Sequence, residues 1–377
     1  MKILLLSEGD PAKPIAFSGI GKSIYDHLRQ VGNDVIPVDV DVHGLERYLL
    51  GGLTWSPQRT RWLARFRVGG LAFQRRSANA TRELRRHAAG LDAVLQFGAT
   101  FAPAANGRTP YFLYCDSNHR MALRSPFAVS SHLPAGESER VTERERRVYA
   151  GARGIFTFSE WARRSFIEDF GVPPERVTAV GAGPNFDVSR IPSRNGTRGS
   201  RPPTVLFVGG EFERKGGDVL LEAFRLVREE IPNARLVVVG AKDARIDAPG
   251  VEPLGFLRKD NPADWQRLVD AYREADVFAF PTRFDAFGIV VLEAMFFGLP
   301  CVAVDAWAIP EMVVDGETGY TVPLGNARVL ADRLLLVLRD DALARRLGAA
   351  GRARAEQRFT WTGVAERMTA AMRAALR

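Results

Sequence analysis

The sequence predicts an α/β fold of two parallel-sheet domains joined by a linker, on three observations. Short apolar runs that stop at glycine, proline or a polar turn recur along the chain with helix-length stretches between them. Runs apolar on both faces read as buried strands of a parallel sheet. A glycine-bearing loop follows the first strand of each half, Gly19-Ile20-Gly21 and Gly216-Gly217, each just before a helix, the layout of a nucleotide-binding α/β domain. Between the halves, residues 184–203 (PNFDVSRIPSRNGTRGSRPP) are rich in Pro, Gly, Ser and Arg and read as a linker. A length of 377 residues suits two such domains.

Composition is that of an ordinary globular protein. The two cysteines, Cys115 and Cys301, each lie in an apolar run and read as buried thiols of a reducing compartment. The start, MKILLL, is short and meets Glu8 and Asp10 at once, unlike a signal peptide. The longest apolar segment, 287–304, contains Glu293 and Pro300 and reads as a buried helix plus strand, not as a membrane span. The expectation is a cytoplasmic protein with possible membrane association. Net charge is +8, and residues 51–90 hold nine arginines against one acid, Glu83, nine minus one giving the whole excess.

In the first half, strands are predicted over Lys2 to Ser7, Val35 to Val40, Asp92 to Gln96, Pro110 to Cys115, Ile155 to Ser159 and Arg176 to Val180. A loop spans Glu8 to Ser18, and a helix runs from Lys22 to Val31. Residues 51–90 read as one or two helices carrying Trp55, Trp62, Phe66, Leu71 and Phe73 among the arginines. Such a stretch suits either an anionic membrane or polyanionic acceptor, or the solvated face of ordinary helices. Asp116 and His119 follow a strand at its carboxyl end, where α/β sites gather. Residues 120–150 read as charged helix, and Glu160 starts another.

In the second half, strands are predicted over Thr204 to Gly209, Arg235 to Gly240, Asp276 to Phe280 and Cys301 to Val304, with Val251 to Leu257 a bordering loop. Helices are predicted over Asp218 to Glu230, Asp264 to Glu274 and Gly288 to Phe297, and through 326–377. Arg214 and Lys215 precede the Gly216-Gly217 helix entry, equipment for a diphosphate. Asp285 sits in the loop after a strand, and Glu293 lies about two turns further along an otherwise apolar helix. A buried acid is costly without a partner. A ligand diol such as a ribose is one candidate and core polar groups are another. Asp285 reads either as a ligand-facing acid or as a helix cap. The N–H groups near Phe287, Gly288 and Ile289 open the helix and suit a phosphate.

An acid, seven residues, then Glu-Ala-Met, with Phe-Gly between and Gly-Leu-Pro after, resembles the signature of retaining nucleotide-sugar glycosyltransferases of family 4. The likeness is strong over 204–361 and loose over 1–183. It implies the GT-B fold: two Rossmann-like domains facing a cleft, with the last helix crossing back to the first domain. The implied division is 1–183 (acceptor side), 184–203 (linker), 204–360 (nucleotide-sugar side) and 361–377 (returning helix). The resemblance implies that Asp285 binds donor-sugar hydroxyls and Glu293 the ribose. It implies that Gly19, Gly21 and Gly209 face the donor, that Arg214 and Lys215 hold the diphosphate, and that Asp116 or His119 lies near the reacting carbon. This chain has Asp285 where the family usually has Glu. It has Gly210 where the family has Arg, and Trp307-Ala308 in place of Gly-Gly before Pro310-Glu311.

The implied activity is transfer of a sugar from a nucleoside-diphosphate donor to a glycan or lipid-linked acceptor, in cell-envelope or exopolysaccharide synthesis. No cofactor or metal is expected, since no cluster has metal-ligand spacing. A sugar-nucleotide epimerase of the same fold is the competing enzyme. A nucleic-acid-binding protein is the alternative from another class, favoured only by the arginines and lacking any recognised motif.

Overall fold

The computed structural model describes residues 1–13, 19–103, 109–191, 199–241 and 246–377. The part of the predicted glycine loop at 14–18 and the linker centre at 192–198 lie outside the described residues. Two compact units form, Met1–Ala182 with Trp361–Arg377, and Gly183–Thr360.

The first unit is built on strands β1 (Lys2–Ser7), β2 (Asp34–Asp39), β3 (Ala93–Phe97), β4 (Tyr111–Cys115), β5 (Gly154–Thr157) and β6 (Val177–Ala179). They lie in the order β2-β1-β3-β4-β5-β6, each pairing parallel. The central strands are buried on both faces, which is why they read as unbroken apolar runs. Helices α1 (Ile20–Gln30), α2 (Gly44–Leu53), α3 (Arg59–Val68), α4 (Gly70–Arg86), α5 (His119–Ala122), α6 (Ala135–Gly151) and α7 (Glu160–Glu168) make the connections. The predicted helix at Lys22 starts two residues earlier, directly after Gly19, whose φ of 95° is open to glycine at little cost. The stretch predicted as one or two helices is three. Gly69, an extended residue between α3 and α4, admits no Cβ, because the Arg65 carbonyl oxygen would lie 2.2 Å away.

The second unit contains β7 (Thr204–Val208), β8 (Arg235–Val239), β9 (Val251–Gly255), β10 (Val277–Phe280), β11 (Cys301–Val304) and β12 (Gly319–Val322). Their order is β12-β11-β10-β7-β8-β9, again all parallel. Renumbered from its first strand, this is the doubly wound order 3-2-1-4-5-6, with the reversal between β7 and β10. Helices α8 (Gly217–Glu230), α9 (Pro262–Glu274), α10 (Ile289–Phe296), α11 (Ile309–Met312), α12 (Ala327–Arg339) and α13 (Asp341–Arg358) cover it. Side-chain oxygens of Asn261, Asn326 and Asp340 cap three of them. α10 is apolar nearly all round and six of its residues are buried, as such a helix must be.

Two expectations are adjusted. Val251 to Leu257, expected as a loop, supplies edge strand β9. The start of the expected linker is packed structure: the Phe186 ring meets Trp265 at a tilt and Phe297 edge-on, and the Asn185 N–H donates to Glu293. The last helix, α14 (Trp361–Leu376), is built into the first unit. There the Asn33 amide donates to Thr369 Oγ1 at 2.9 Å, and the Arg367 guanidinium donates to the Val180 carbonyl.

Candidate active site

In an open parallel sheet the crevice forms where strand order reverses, outside the carboxyl ends. In the second unit that point lies between β7 and β10. The loops that leave those strands, 209–216 and 281–288, meet there. Gly216 makes the meeting close: at φ 75° a Cβ on it would sit 2.0 Å from the Pro281 carbonyl oxygen. Backbone and side chain staple the loops. The Arg214 carbonyl accepts from the Arg283 N–H at 3.0 Å and from Thr282 Oγ1 at 3.2 Å. The Arg214 guanidinium donates to the Phe284 carbonyl at 2.9 Å and forks onto Glu211 at 2.9 and 3.0 Å.

Lys215 and Asp285 form an ion pair across the seam, with only 13% and 18% of their side chains exposed. Asp285 Oδ1 also accepts from the Gly288 N–H at 3.1 Å and the Phe287 N–H at 3.4 Å. Asp285 therefore caps the α10 entry, as one of its two sequence readings has it, and its other oxygen pairs with Lys215. Burial pulls the Lys215 ammonium below its ordinary range, and Asp285 opposes this only in part. For Asp285, burial pushes upward, but Lys215, Arg214 and the Phe287 amide outweigh it and hold the carboxyl below the usual value. Gly209 lies under the Lys215 stem, where a Cβ would come within 3.0 Å of Lys215 Cγ. Gly288 takes φ 86°, open to glycine at little cost, and a Cβ there would come 2.5 Å from the Ile309 Cδ1 methyl. Phe287 is buried beside it, and Ile289 begins α10.

Glu293 is 1% exposed on α10. Its carboxylate is held by the Lys259 ammonium, by the Tyr272 hydroxyl at 3.2 Å and by the Asn185 N–H at 3.3 Å. Burial and then the neighbouring Glu293 charge raise the Tyr272 hydroxyl well above its ordinary pKa, so it stays a donor. Sequence reasoning missed all three partners. An acid in an apolar helix announces that a partner exists, but these come from the 183–186 stretch, the loop before α9, and α9 itself.

The first unit places Asp116 exposed at the carboxyl end of β4, with Ser117 Oγ donating to it at 2.9 Å. His119 follows three residues later. It is 3% exposed, opens α5, and engages Ser138 Oγ through Nε2 at 2.8 Å. Burial lowers its pKa to about 4, so the ring is neutral at neutral pH. The backbone N–H of His119 donates to Glu145 at 2.9 Å, and burial raises Glu145 to about 7. Gly19 and Gly21 stand at the entry of α1, after β1. Just past the end of β1, Glu8 is bridged to Asp41 by Arg76, 2% exposed, at 2.9 Å to each acid, and Thr100 Oγ1 donates to Glu8. Among the described residues no group of three or more His, Cys, Asp and Glu is placed to hold a metal ion.

Residues 202–340 match the family described as "Glycosyl transferases group 1". The chain is 42% identical over 171 residues to the phosphatidyl-myo-inositol mannosyltransferase of Mycobacterium leprae, which covers 44% of this chain and 45% of that protein. It is 30% identical over 267 residues to the D-inositol 3-phosphate glycosyltransferase of Corynebacterium aurimucosum, which covers 66% and 62%. The matched part thus spans about half to three fifths of these relatives. Among solved structures, sucrose-phosphate synthase from Thermosynechococcus elongatus aligns with a TM-score of 0.72 at 20% identity, over 99% of this chain and 98% of that one. Anabaena HepE in complex with UDP and glucose aligns at 0.67 and 18%, over 99% and 100%. At these identities the structural likeness concerns the fold.

Proposed function

We propose that this chain, which belongs to the glycosyl transferases group 1 through residues 202–340, is a retaining glycosyltransferase that uses a nucleoside-diphosphate sugar. The observation that carries the reading is the seam at the β7/β10 reversal. A lysine, an arginine and the N–H end of α10 converge there, with an acid poised beside them. Cations and amide donors at a helix entry suit a diphosphate. The pulling force of such a site is electrostatic stabilisation of the departing group.

In the proposed reaction the bond from the sugar's anomeric carbon to the diphosphate oxygen breaks. A bond from the acceptor oxygen forms on the same face. The acceptor's proton passes to the departing phosphate. Lys215 and the amides of Phe287, Gly288 and Ile289 bear the developing negative charge, with Arg214 fixing the loop that carries Lys215. Asp285 receives sugar hydroxyls, and Glu293 receives the ribose diol in exchange for part of its hold on Lys259 and the Asn185 N–H. Asp116 faces the acceptor side, while the neutral, buried His119 positions α5 against α6. Gly19, Gly21 and Gly209 let backbone approach the donor. The proposed acceptor is a glycan or lipid-linked molecule of the cell envelope, reached at an anionic membrane face. No metal or cofactor is assigned.

Incubation with UDP- and GDP-sugars tests the reading, with release of the nucleotide and the anomeric configuration followed by NMR. Slow hydrolysis or transfer with retained configuration supports it. Inverted product, or no turnover together with no binding of any nucleoside diphosphate, rejects it.

A further inference from the structure

Helix α2 turns the wrong face to water. Leu45, Tyr48, Leu49 and Leu53 lie at helical spacing i, i+3, i+4 and i+8, and Trp55 follows the last turn. All five are 65 to 82% exposed. The helix is held by other contacts. Leu50 is its one buried residue, in a small cluster with Val42, Ala72 and Phe66. Gly51 accepts from Trp62 Nε1 at 2.8 Å, Glu46 pairs with Arg75, and the Arg47 guanidinium lies 5.2 Å from the Phe66 ring centroid. The helix is thus anchored on one side and offers the other. A contiguous apolar face of this kind marks an interaction surface.

The surroundings say what it meets. Residues 44–90 carry ten arginines (47, 59, 61, 65, 67, 75, 76, 82, 85, 86) and two acids, Glu46 and Glu83, and ten minus two equals the chain's whole net charge of +8. Part of that charge is spoken for: Arg65 is forked onto Glu137, and Arg76 is buried between Glu8 and Asp41. Arg59 is exposed and makes no salt bridge among the described residues, while Arg61 is half-buried with its Nε shielded from solvent. They stand in the first turn of α3, whose Trp62 packs on the last turn of α2. Apolar side chains with arginines beside them match the two layers of an anionic bilayer surface, acyl chains below and phosphates above. A second copy of the chain fits less well, since self-pairing of this face would bring its arginines together. No described helix is long and apolar enough to cross a membrane, so the contact would be peripheral.

We infer that α2 is an interfacial anchor, which lays Leu45, Tyr48, Leu49, Leu53 and Trp55 into the surface of an anionic phospholipid membrane while Arg59 meets headgroup phosphates. This moves the contact from the 51–90 stretch as a whole to α2 and the start of α3, because Trp62, Phe66 and Phe73 of that stretch are turned inward. The inference stands apart from the proposed reaction, and binding reads it without turnover.

The experiment is co-sedimentation of the full chain with vesicles of phosphatidylcholine alone or mixed with phosphatidylglycerol, at low and physiological salt. Wild type, Leu49→Glu/Leu53→Glu and Arg59→Gln are compared. The expected result is binding to the anionic vesicles only, weakening as salt screens the charge. The glutamate pair should lose it tenfold or more, and Arg59→Gln should weaken it by a smaller factor. Tryptophan emission should shift to the blue on binding, and Trp55→Phe should remove most of that shift. Circular dichroism and nucleoside-diphosphate affinity equal to wild type show that the variants are folded. Equal binding to both vesicle types, no binding to either, or glutamate variants that bind like wild type would overturn the inference. So would a wild-type dimer in sedimentation velocity that the glutamate pair dissolves, since the face would then belong to a second copy.

Discussion

Lys215 and Asp285 are a buried ion pair whose geometry assigns each a second task. Asp285 Oδ1 caps the α10 entry, so an asparagine keeps an acceptor there but loses the charge that holds Lys215. Asp285→Asn should lower transfer about 10²-fold while leaving nucleoside-diphosphate affinity within a few-fold, because a nucleoside diphosphate lacks the hydroxyls of the transferred sugar. Parallel kinetics and calorimetry check this. Equal loss of both would make Asp285 a loop-structuring residue. The pair also has a pH signature. The folded carboxyl sits below its unfolded value of about 3.9, so its stabilisation is present above that pH and is lost as pH falls through the lower folded value. Glu293→Gln should weaken nucleoside-diphosphate binding by about 1–3 kcal/mol, read by calorimetry. Unchanged affinity would leave Glu293 as no more than the partner of Lys259 and Tyr272.

Trp307 stands where the resemblance to the family leads one to expect glycine, and it adopts φ 62°, a strain of about 1–2 kcal/mol for a bulky residue. Its ring meets Phe284 edge-on at 5.1 Å, one residue before Asp285. Trp307→Gly should leave stability within about 1 kcal/mol, strain relief offsetting the lost ring contact, and should change which donor sugars are accepted. Urea unfolding and a donor panel read the two effects. A large loss of stability with an unchanged sugar preference would assign Trp307 to packing alone.

At the scale of elements, strands and their helices were legible because periodicity is local. β1, β11 and α14 match their predicted bounds, and most others shift by one or two residues at frayed ends. What was not legible depends on neighbours. Trp62 and Trp55 are alike in sequence, yet one is turned inward and the other faces water, decided by which side of α2 meets α3. The burial of His119 comes from α6 crossing above it, a partner supplied from residues 135–151. That crossing carries a pH prediction. Glu145 on α6 titrates near 7 in the fold, above its unfolded value of about 4.3. The fold therefore favours the protonated acid. This contribution is complete below about pH 4 and is lost as pH rises through 7. Glu145→Gln, which keeps an acceptor for the His119 N–H, should be more stable than wild type at pH 8 by about 1–3 kcal/mol and nearly equal near pH 4. Urea titrations at the two pH values decide it, and a variant equally or less stable at pH 8 contradicts it.

Over the whole molecule, the two sheets differ in strand order, and the order places the chemistry. The second unit reverses between β7 and β10, and the residues singled out from motif spacing, Gly209, Arg214, Lys215, Asp285 and Gly288, all lie on the two loops leaving that point. The spacing of 70 residues between Lys215 and Asp285 is closed by β8, β9 and α9 passing to one side, which no local pattern records. The central claim is that this seam receives a nucleoside diphosphate. Isothermal titration of UDP and GDP into wild type and Lys215→Ala tests it most directly, with Arg225→Ala, a surface helix residue, as control. The account predicts that at least one diphosphate binds wild type and the control alike, and that Lys215→Ala weakens it tenfold or more, about 1.4 kcal/mol. Binding of neither nucleotide, or equal affinity in the Lys215 variant, would contradict it.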